Sequence, residues 1–82
     1  MRQPIILEVN PLTDYRVMLL FDTGEKKLFD VAPYISGEWF GKLKNPDVFN
    51  TVRAAGKTIE WAGGQDIAPH ELYENSIPVG PS

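Results

Sequence analysis

Two features near one end of this 82-residue chain could do chemistry: the tripeptide Gly63-Gly64-Gln65 and the single histidine, His70. The tripeptide lies between an alternating run that ends at Trp61 and the short segment Asp66-Ile67. Two adjacent glycines allow the positive φ angles that tight hairpin loops require. The pattern therefore predicts a hairpin turn at Gly63-Gly64, and this structural explanation needs no activity.

A catalytic loop is the alternative interpretation of the same tripeptide. Gly-Gly-Gln resembles the hydrolytic motif of peptide-chain release factors, which as a family place it in a basic loop suited to RNA. Here Glu60 and Asp66 flank the tripeptide, and residues 58–82 contain no Lys or Arg. The charge favours the turn, and a hydrolase or an RNA-acting protein that uses Gly63-Gly64-Gln65 stays open as the alternative function.

His70 lies in a run, Pro69 to Glu74, that is typical of a short helix. His70 and Glu74 would share a helix face and could pair, with Glu71 adjacent. A metal site needs three or four convergent ligands, and the chain has no cysteine to add a thiolate. We therefore predict no metal site, no cofactor and no catalytic residue, with His70 on a solvated face.

The charge of the chain is unevenly distributed. All eight Lys and Arg lie in residues 2–57, whereas residues 58–82 carry only acids: Glu60, Asp66, Glu71 and Glu74. The formal net charge of −3 argues against direct nucleic-acid binding, which depends on Lys and Arg at the phosphates. It suits a basic protein partner, for which these four acids are candidate contacts, although the imbalance is also explained by solubility alone.

The elements that must position these residues begin with strands. Alternation at Ile5, Leu7 and Val9 resumes in Tyr15 to Phe21, and a third strand follows at about Lys26 to Val31. The fold class predicted is α+β: a small antiparallel sheet, made of a three-strand N-terminal meander plus a C-terminal hairpin, with two or three short helices. The predicted core is Leu7, Val17, Leu19, Phe21, Phe29, Phe49, Val52, Ile59 and Trp61. We expect one domain over residues 1–76 and a flexible C-terminal tail over 77–82.

The middle of the chain predicts short helical pieces. Asn45-Pro46-Asp47 is a favourable helix start, because Asn45 can cap free amides and Pro46 suits the first turn. Trp39 and Phe40, flanked by Gly37 and Gly41, are candidate partner contacts, since partly buried aromatics anchor interfaces. The competing explanation is that both aromatics simply cap the sheet.

An ordered succession of residues resembles a bacterial family described as domain of unknown function 2442. The resemblance covers roughly residues 5–74 and departs from the family at Ala62-Gly63-Gly64 and at His70, which replaces a commonly acidic position. That second departure suggests that His70 is not a family-wide ligand. The residues that carry the resemblance are Tyr15-Arg16, Phe21-Asp22-x-Gly24-Glu25, Phe29-Asp30, Pro33, Phe40, Leu43, Pro46, Phe49, Val52, Ile59-x-Trp61 and Asp66-Ile67-x-Pro69-x-x-Leu72-Tyr73-Glu74.

The resemblance implies an interaction module with no settled activity. Some members of the family are encoded beside another small protein in an arrangement like that of a toxin and an antitoxin. We therefore expect a non-enzymatic, antitoxin-like module with a basic partner encoded nearby, and self-association is the other possibility left open. The longest apolar run, Val17 to Phe21, is too short to span a bilayer, so we expect no membrane contact. The absence of cysteine fits a cytoplasmic location, which we also expect.

Overall fold

Three strands form the predicted meander in the computed structural model, which describes residues 4–79. They are β1 (Ile6–Pro11), β2 (Arg16–Phe21) and β3 (Lys26–Asp30), and all their pairings are antiparallel. Strand β2 lies between the other two, and its alternate residues Val17, Leu19 and Phe21 are buried on one face. The period of two in the sequence therefore places the core on one side of the sheet.

A fourth strand closes the sheet from the other end of the chain. Strand β6 (Ile77–Pro78) pairs with β3 through Leu28 and Lys27, which gives the order β1-β2-β3-β6. The amide of Val79 also donates to the carbonyl of Lys26 at 3.0 Å. Residues 77–79, expected to belong to a flexible tail, are thus hydrogen-bonded to the sheet, and residues 80–82 of that tail lie outside the described residues.

The prediction that Leu7 belongs to the core is wrong. The register between β1 and β2 shifts between Ile6 and Glu8, as at a β-bulge. A bulge inserts one unpaired residue and so reverses the alternation on either side of it. Ile6 therefore takes the buried position, 4% exposed, whereas Leu7 is 60% exposed.

The remaining elements are short. Helices α1 (Gly37–Phe40) and α2 (Pro46–Phe49) have four residues each, and α3 (Pro69–Asn75) has seven. There are also three 3₁₀ segments: Thr13–Tyr15 between β1 and β2, Ala32–Tyr34 between β3 and α1, and Gly41–Lys44 between α1 and α2. The predicted cap at the start of α2 is confirmed, because Oδ1 of Asn45 accepts a hydrogen bond from the amide of Asp47 at 3.0 Å.

A two-stranded sheet packs beside the start of β1. Strand β4 (Arg53–Ala55) pairs with β5 (Thr58–Glu60) and turns at Gly56, which has φ of 69°. The amide of Ile6 donates to the carbonyl of Gly56 at 2.8 Å and ties the hairpin to the main sheet. The predicted turn at Gly63-Gly64 follows β5 and is closed by a single bridge between Glu60 and Asp66.

One hydrophobic core joins both sheets and the helices. Apart from Leu7, every predicted core residue is buried, and Trp61, Ile59 and Phe29 are at most 1% exposed. Leu43 and Leu72 bring the 3₁₀ segment before α2 and helix α3 onto the same cluster. Within residues 4–79, no helix has the length and apolar character needed to cross a membrane. The chain is therefore a small α+β fold built on an antiparallel sheet.

Candidate functional site: the Trp39 surface

The Gly63-Gly64-Gln65 turn has a specific structural need for each glycine. Gly64 has φ of 92°, a conformation that residues with a Cβ rarely adopt. At Gly63 an added Cβ would lie 2.6 Å from Oε1 of Gln65, closer than atoms pack. Backbone bonds from Gly64 to Trp61 (2.8 Å) and from Trp61 to Gln65 (2.9 Å) close the turn. Turn geometry and close packing thus account for both glycines.

Gln65 points into the protein. The residue is 0% exposed, and its Nε2 donates to the backbone carbonyl of Trp39 at 2.8 Å. Its Oε1 is buried and has no hydrogen-bond partner among the described residues. In this conformation the amide holds α1 against the turn and does not face solvent, where a substrate would have to meet it.

Trp39 is exposed but firmly positioned. The residue is 50% exposed, while its Nε1 donates to the carbonyl of Gly63 at 3.2 Å. Phe40 packs edge-on against it with ring centroids 5.3 Å apart, and Phe40 also packs against the core. We call Trp39, Phe40 and the turn at residues 63–65 the Trp39 surface. It presents a large aromatic side chain whose backbone and indole nitrogen are both hydrogen-bonded to the turn.

A shallow, largely apolar groove runs beside this surface, between the turn and helix α2. Gly63 and Gln65 form part of one side, and Val48 is half-buried on the other. Lys42, Lys44 and Asp47 also line the groove and give it charges of both signs. A ligand in this groove would meet apolar surface bordered by two lysines and one carboxylate.

The structure places the four acidic candidates in two separate elements. Glu60 and Asp66 face each other across the base of the turn, and Glu60 forms a salt bridge with Arg53 at 2.5 Å. Glu71 and Glu74 lie on helix α3, where Glu74 pairs with Nδ1 of His70 at 2.8 Å. The acids are therefore distributed, and part of the charge at Glu60 is already neutralised by Arg53.

His70 and Glu74 form the pair that their spacing predicts. Both side chains are largely exposed, as expected for neighbours on a solvated helix face. Over residues 4–79 no group of three or more His, Cys, Asp or Glu side chains could hold a metal ion. The geometry of this part of the chain supports a surface ion pair.

A polar cluster that the sequence analysis did not single out lies between β3 and α3. Lys27 is 8% exposed, its Nζ donates to the carbonyl of Tyr73 at 2.9 Å, and it lies 3.7 Å from the centre of the Tyr73 ring. The Tyr73 hydroxyl donates to Oε1 of Glu25 at 2.9 Å. The signal in the sequence is the register, because Lys27 occupies the same face of β3 as Phe29.

Hydrogen bonding within this cluster shifts two pKa values in opposite directions. Bonds from the Thr23 hydroxyl and then from Tyr73 lower the pKa of Glu25, and the positive charge of Lys27 adds to the effect. The bond to Glu25, followed by burial, raises the pKa of Tyr73. Both shifts favour one state, in which Glu25 is ionised and Tyr73 is protonated.

Protonation of Glu25 in acid is expected to destabilise the domain. Folding lowers the pKa of Glu25, so the ionised carboxylate stabilises the folded state at pH values above the pKa that Glu25 has in the unfolded chain. This stabilisation is lost as the pH falls through the pKa of Glu25 in the folded state. Glu25→Gln should therefore give a shallower loss of unfolding free energy in urea titrations from neutral pH to about pH 3. Glu38→Gln, which removes an exposed acid in α1 instead, is the matched control. Identical slopes for both variants would contradict the role assigned to Glu25.

The fold and its short helices define the chain as a small antiparallel-sheet α+β domain. A family model described as "Protein of unknown function (DUF2442)" matches residues 6–78. The chain therefore belongs to the DUF2442 family. No curated protein and no solved structure matches it.

Proposed function

We propose that this domain is a non-enzymatic protein-interaction module whose contact centres on Trp39. The observation that carries the proposal is that a half-exposed tryptophan is held in place by hydrogen bonds at both its indole nitrogen and its backbone carbonyl. Tryptophan is among the side chains that contribute most at protein interfaces. An aromatic that is already fixed loses little conformational entropy when a partner binds.

The neighbouring groove supports the same role. It offers apolar surface beside Gly63 and Gln65 of the Trp39 surface, and the apolar centre of an interface is usually bordered by charge. Lys42, Lys44 and Asp47 lie on that border, so the part of the partner that meets the groove would face charges of both signs. The partner would be basic elsewhere, where it faces Asp66, Glu71 and Glu74.

The finer proposal is an antitoxin-like role toward a basic protein encoded nearby. The acids of residues 58–82 would steer association at long range, which raises the association rate at low salt. We propose the cytoplasm as the compartment, in keeping with a sequence that contains no cysteine. The hydrolytic alternative gains no support from the turn, because Gln65 is buried and its amide is bonded to Trp39.

Trp39→Ala is expected to weaken partner binding by at least about tenfold, the order seen when an interface anchor is truncated. The measurement is calorimetric titration, or co-purification, with the protein encoded next to this one. Leu12→Ala is the matched control, since Leu12 is also an exposed large apolar residue, at 41%, and belongs neither to the Trp39 surface nor to the lining of its groove. Trp39→Phe retains an aromatic ring but removes the Nε1 donor, so it should bind with intermediate affinity.

Salt provides a second readout of the same complex. The association rate should fall as salt is added, because exposed charges separated by more than about 10 Å are screened at 0.1 M. If Trp39→Ala and Leu12→Ala weakened partner binding equally, Trp39 would not be the anchor of the interface. No association at any salt concentration, with a protein that melts normally, would remove the antitoxin-like role.

A further inference from the structure

The outer face of the four-stranded sheet carries apolar side chains that take no part in the core. Met18, Leu20 and Leu28 are half-buried and Ile77 is 65% exposed. None of them belongs to the core cluster or to the partly buried side chains packed against it. The inner face, by contrast, is covered by residues such as Tyr73, which packs on Phe21. The outer face therefore carries apolar side chains that are partly exposed and do not join the core.

Strand pairing arranges this face in regular rows. The central row runs across all four strands through Asn10, Met18, Leu28 and Ile77. The row on one side of it is Glu8, Leu20 and Lys26, and the row on the other side includes the cross-strand pair Arg16 and Asp30. Each side of the central row thus carries one acid and one base.

We propose that this face, termed the outer sheet face, pairs with the same face of a second copy of the chain. A two-fold axis along the central row, at right angles to the strands, would bring that row over itself. The same rotation exchanges the two flanking rows, so Lys26 faces Asp30 of the other copy on β3. Glu8 then lies diagonally opposite Arg16 of the other copy. Opposite charges therefore meet across this arrangement of two identical faces, as a symmetric dimer requires.

The geometry agrees with how sheets pack. Two sheets stack face to face at about 10 Å with nearly aligned strands, and this axis keeps the strands of the two copies aligned and antiparallel. Among residues 4–79 the salt bridges are Arg53–Glu60 and His70–Glu74, so Glu8, Arg16, Lys26 and Asp30 form none with another described residue. The four charges are available to a second copy, and the face is separate from the Trp39 surface, so this inference does not rest on the proposed function.

The test is the mass of the full chain in solution as a function of concentration, by sedimentation equilibrium. Wild type should be dimeric at high concentration. Lys26→Glu and Asp30→Lys, made singly, should each raise the dimer dissociation constant by roughly tenfold or more, because like charges then face each other. A mixture of the two variants should form a heterodimer, because Glu at position 26 meets Lys at 30 and Asp30 meets Lys26.

The mixture separates pairing from simple loss of fold. Asp30 also accepts a hydrogen bond from the amide of Ala32 at 3.0 Å, so Asp30→Lys alone could lower stability. A destabilised variant would not regain association on mixing, whereas a charge-paired one would. A wild type that stays monomeric at every concentration overturns the proposal. A dimer whose dissociation constant neither charge reversal changes also overturns it.

Discussion

Trp61→Ala is expected to lower the free energy of unfolding by about 3 to 5 kcal/mol, the range for truncating a large buried aromatic. Trp61 is 1% exposed, packs against Phe49 with ring centroids 6.0 Å apart, and donates from Nε1 to the carbonyl of Phe49 at 2.9 Å. The alanine variant leaves a cavity and removes the shorter of the two hydrogen bonds to the Phe49 carbonyl, which keeps only the amide of Val52 at 3.3 Å. Domains of this size are stable by only about 5 to 15 kcal/mol, so the loss is a large share of the total.

The other tryptophan provides the control for this prediction. Trp39→Ala removes the same side chain from a position that is 50% exposed, so its effect on stability should be clearly smaller. Urea titrations of the two variants and the wild type give the comparison, with the midpoint as the measured quantity. If the two variants lost equal stability, the assignment of Trp61 to the centre of the core would fail.

Gln65→Ala is expected to lower the free energy of unfolding by about 2 to 4 kcal/mol, from the loss of the Nε2 hydrogen bond to the Trp39 carbonyl and of buried methylenes. The residue is fully buried and its Nε2 bond to Trp39 spans 26 positions of the chain. Gln65→Glu preserves the shape but replaces the donor with an acceptor facing the same carbonyl, so at neutral pH it should be destabilising as well. Thermal melting, supported by urea titration, measures both changes.

This prediction also distinguishes the structural and catalytic interpretations of the Gly-Gly-Gln turn. A glutamine that served only in hydrolysis could be replaced by alanine without a change in stability. Asn50→Ala is the matched control, because Asn50 is an exposed amide side chain and its loss should be nearly neutral. An unchanged melting temperature for Gln65→Ala would contradict the structural role and reopen the catalytic one.

The sequence predicts those parts of the fold that depend on local patterns. Alternation in Tyr15 to Phe21 correctly predicts which residues of β2 are buried, because a period of two is a property of any strand with one covered face. Asn45-Pro46-Asp47 correctly predicts the start of α2, because capping involves residues two positions apart. The turn at Gly63-Gly64 is likewise local, and it is present where the glycines predict it.

Features that depend on distant partners could not be predicted in this way. The burial of Ile6 in place of Leu7 follows from the bulge in the register against β2. The sequence does not show where that bulge falls, because Ile5, Ile6 and Leu7 are all apolar. Strand β6 has two residues, too few to show a period, and its partner β3 is about fifty positions away. The same holds for the Trp39 surface: the aromatics are visible in the sequence, but the bonds from the turn that hold Trp39 are not.

The pairing of the last strand with β3 has a consequence for how the chain folds as it is made. Synthesis proceeds from the N-terminus, so the meander emerges while the residues that close it are still untranslated. Until α3 and β6 arrive, Phe21 lacks its contact with Tyr73, and Leu28 lacks its pairing with Ile77. A nascent chain at that stage carries an incomplete apolar sheet with an open edge, which is the kind of species that chaperones bind and that aggregates when they do not. The stretch of translation before the final strand is therefore the interval in which this small domain is most vulnerable.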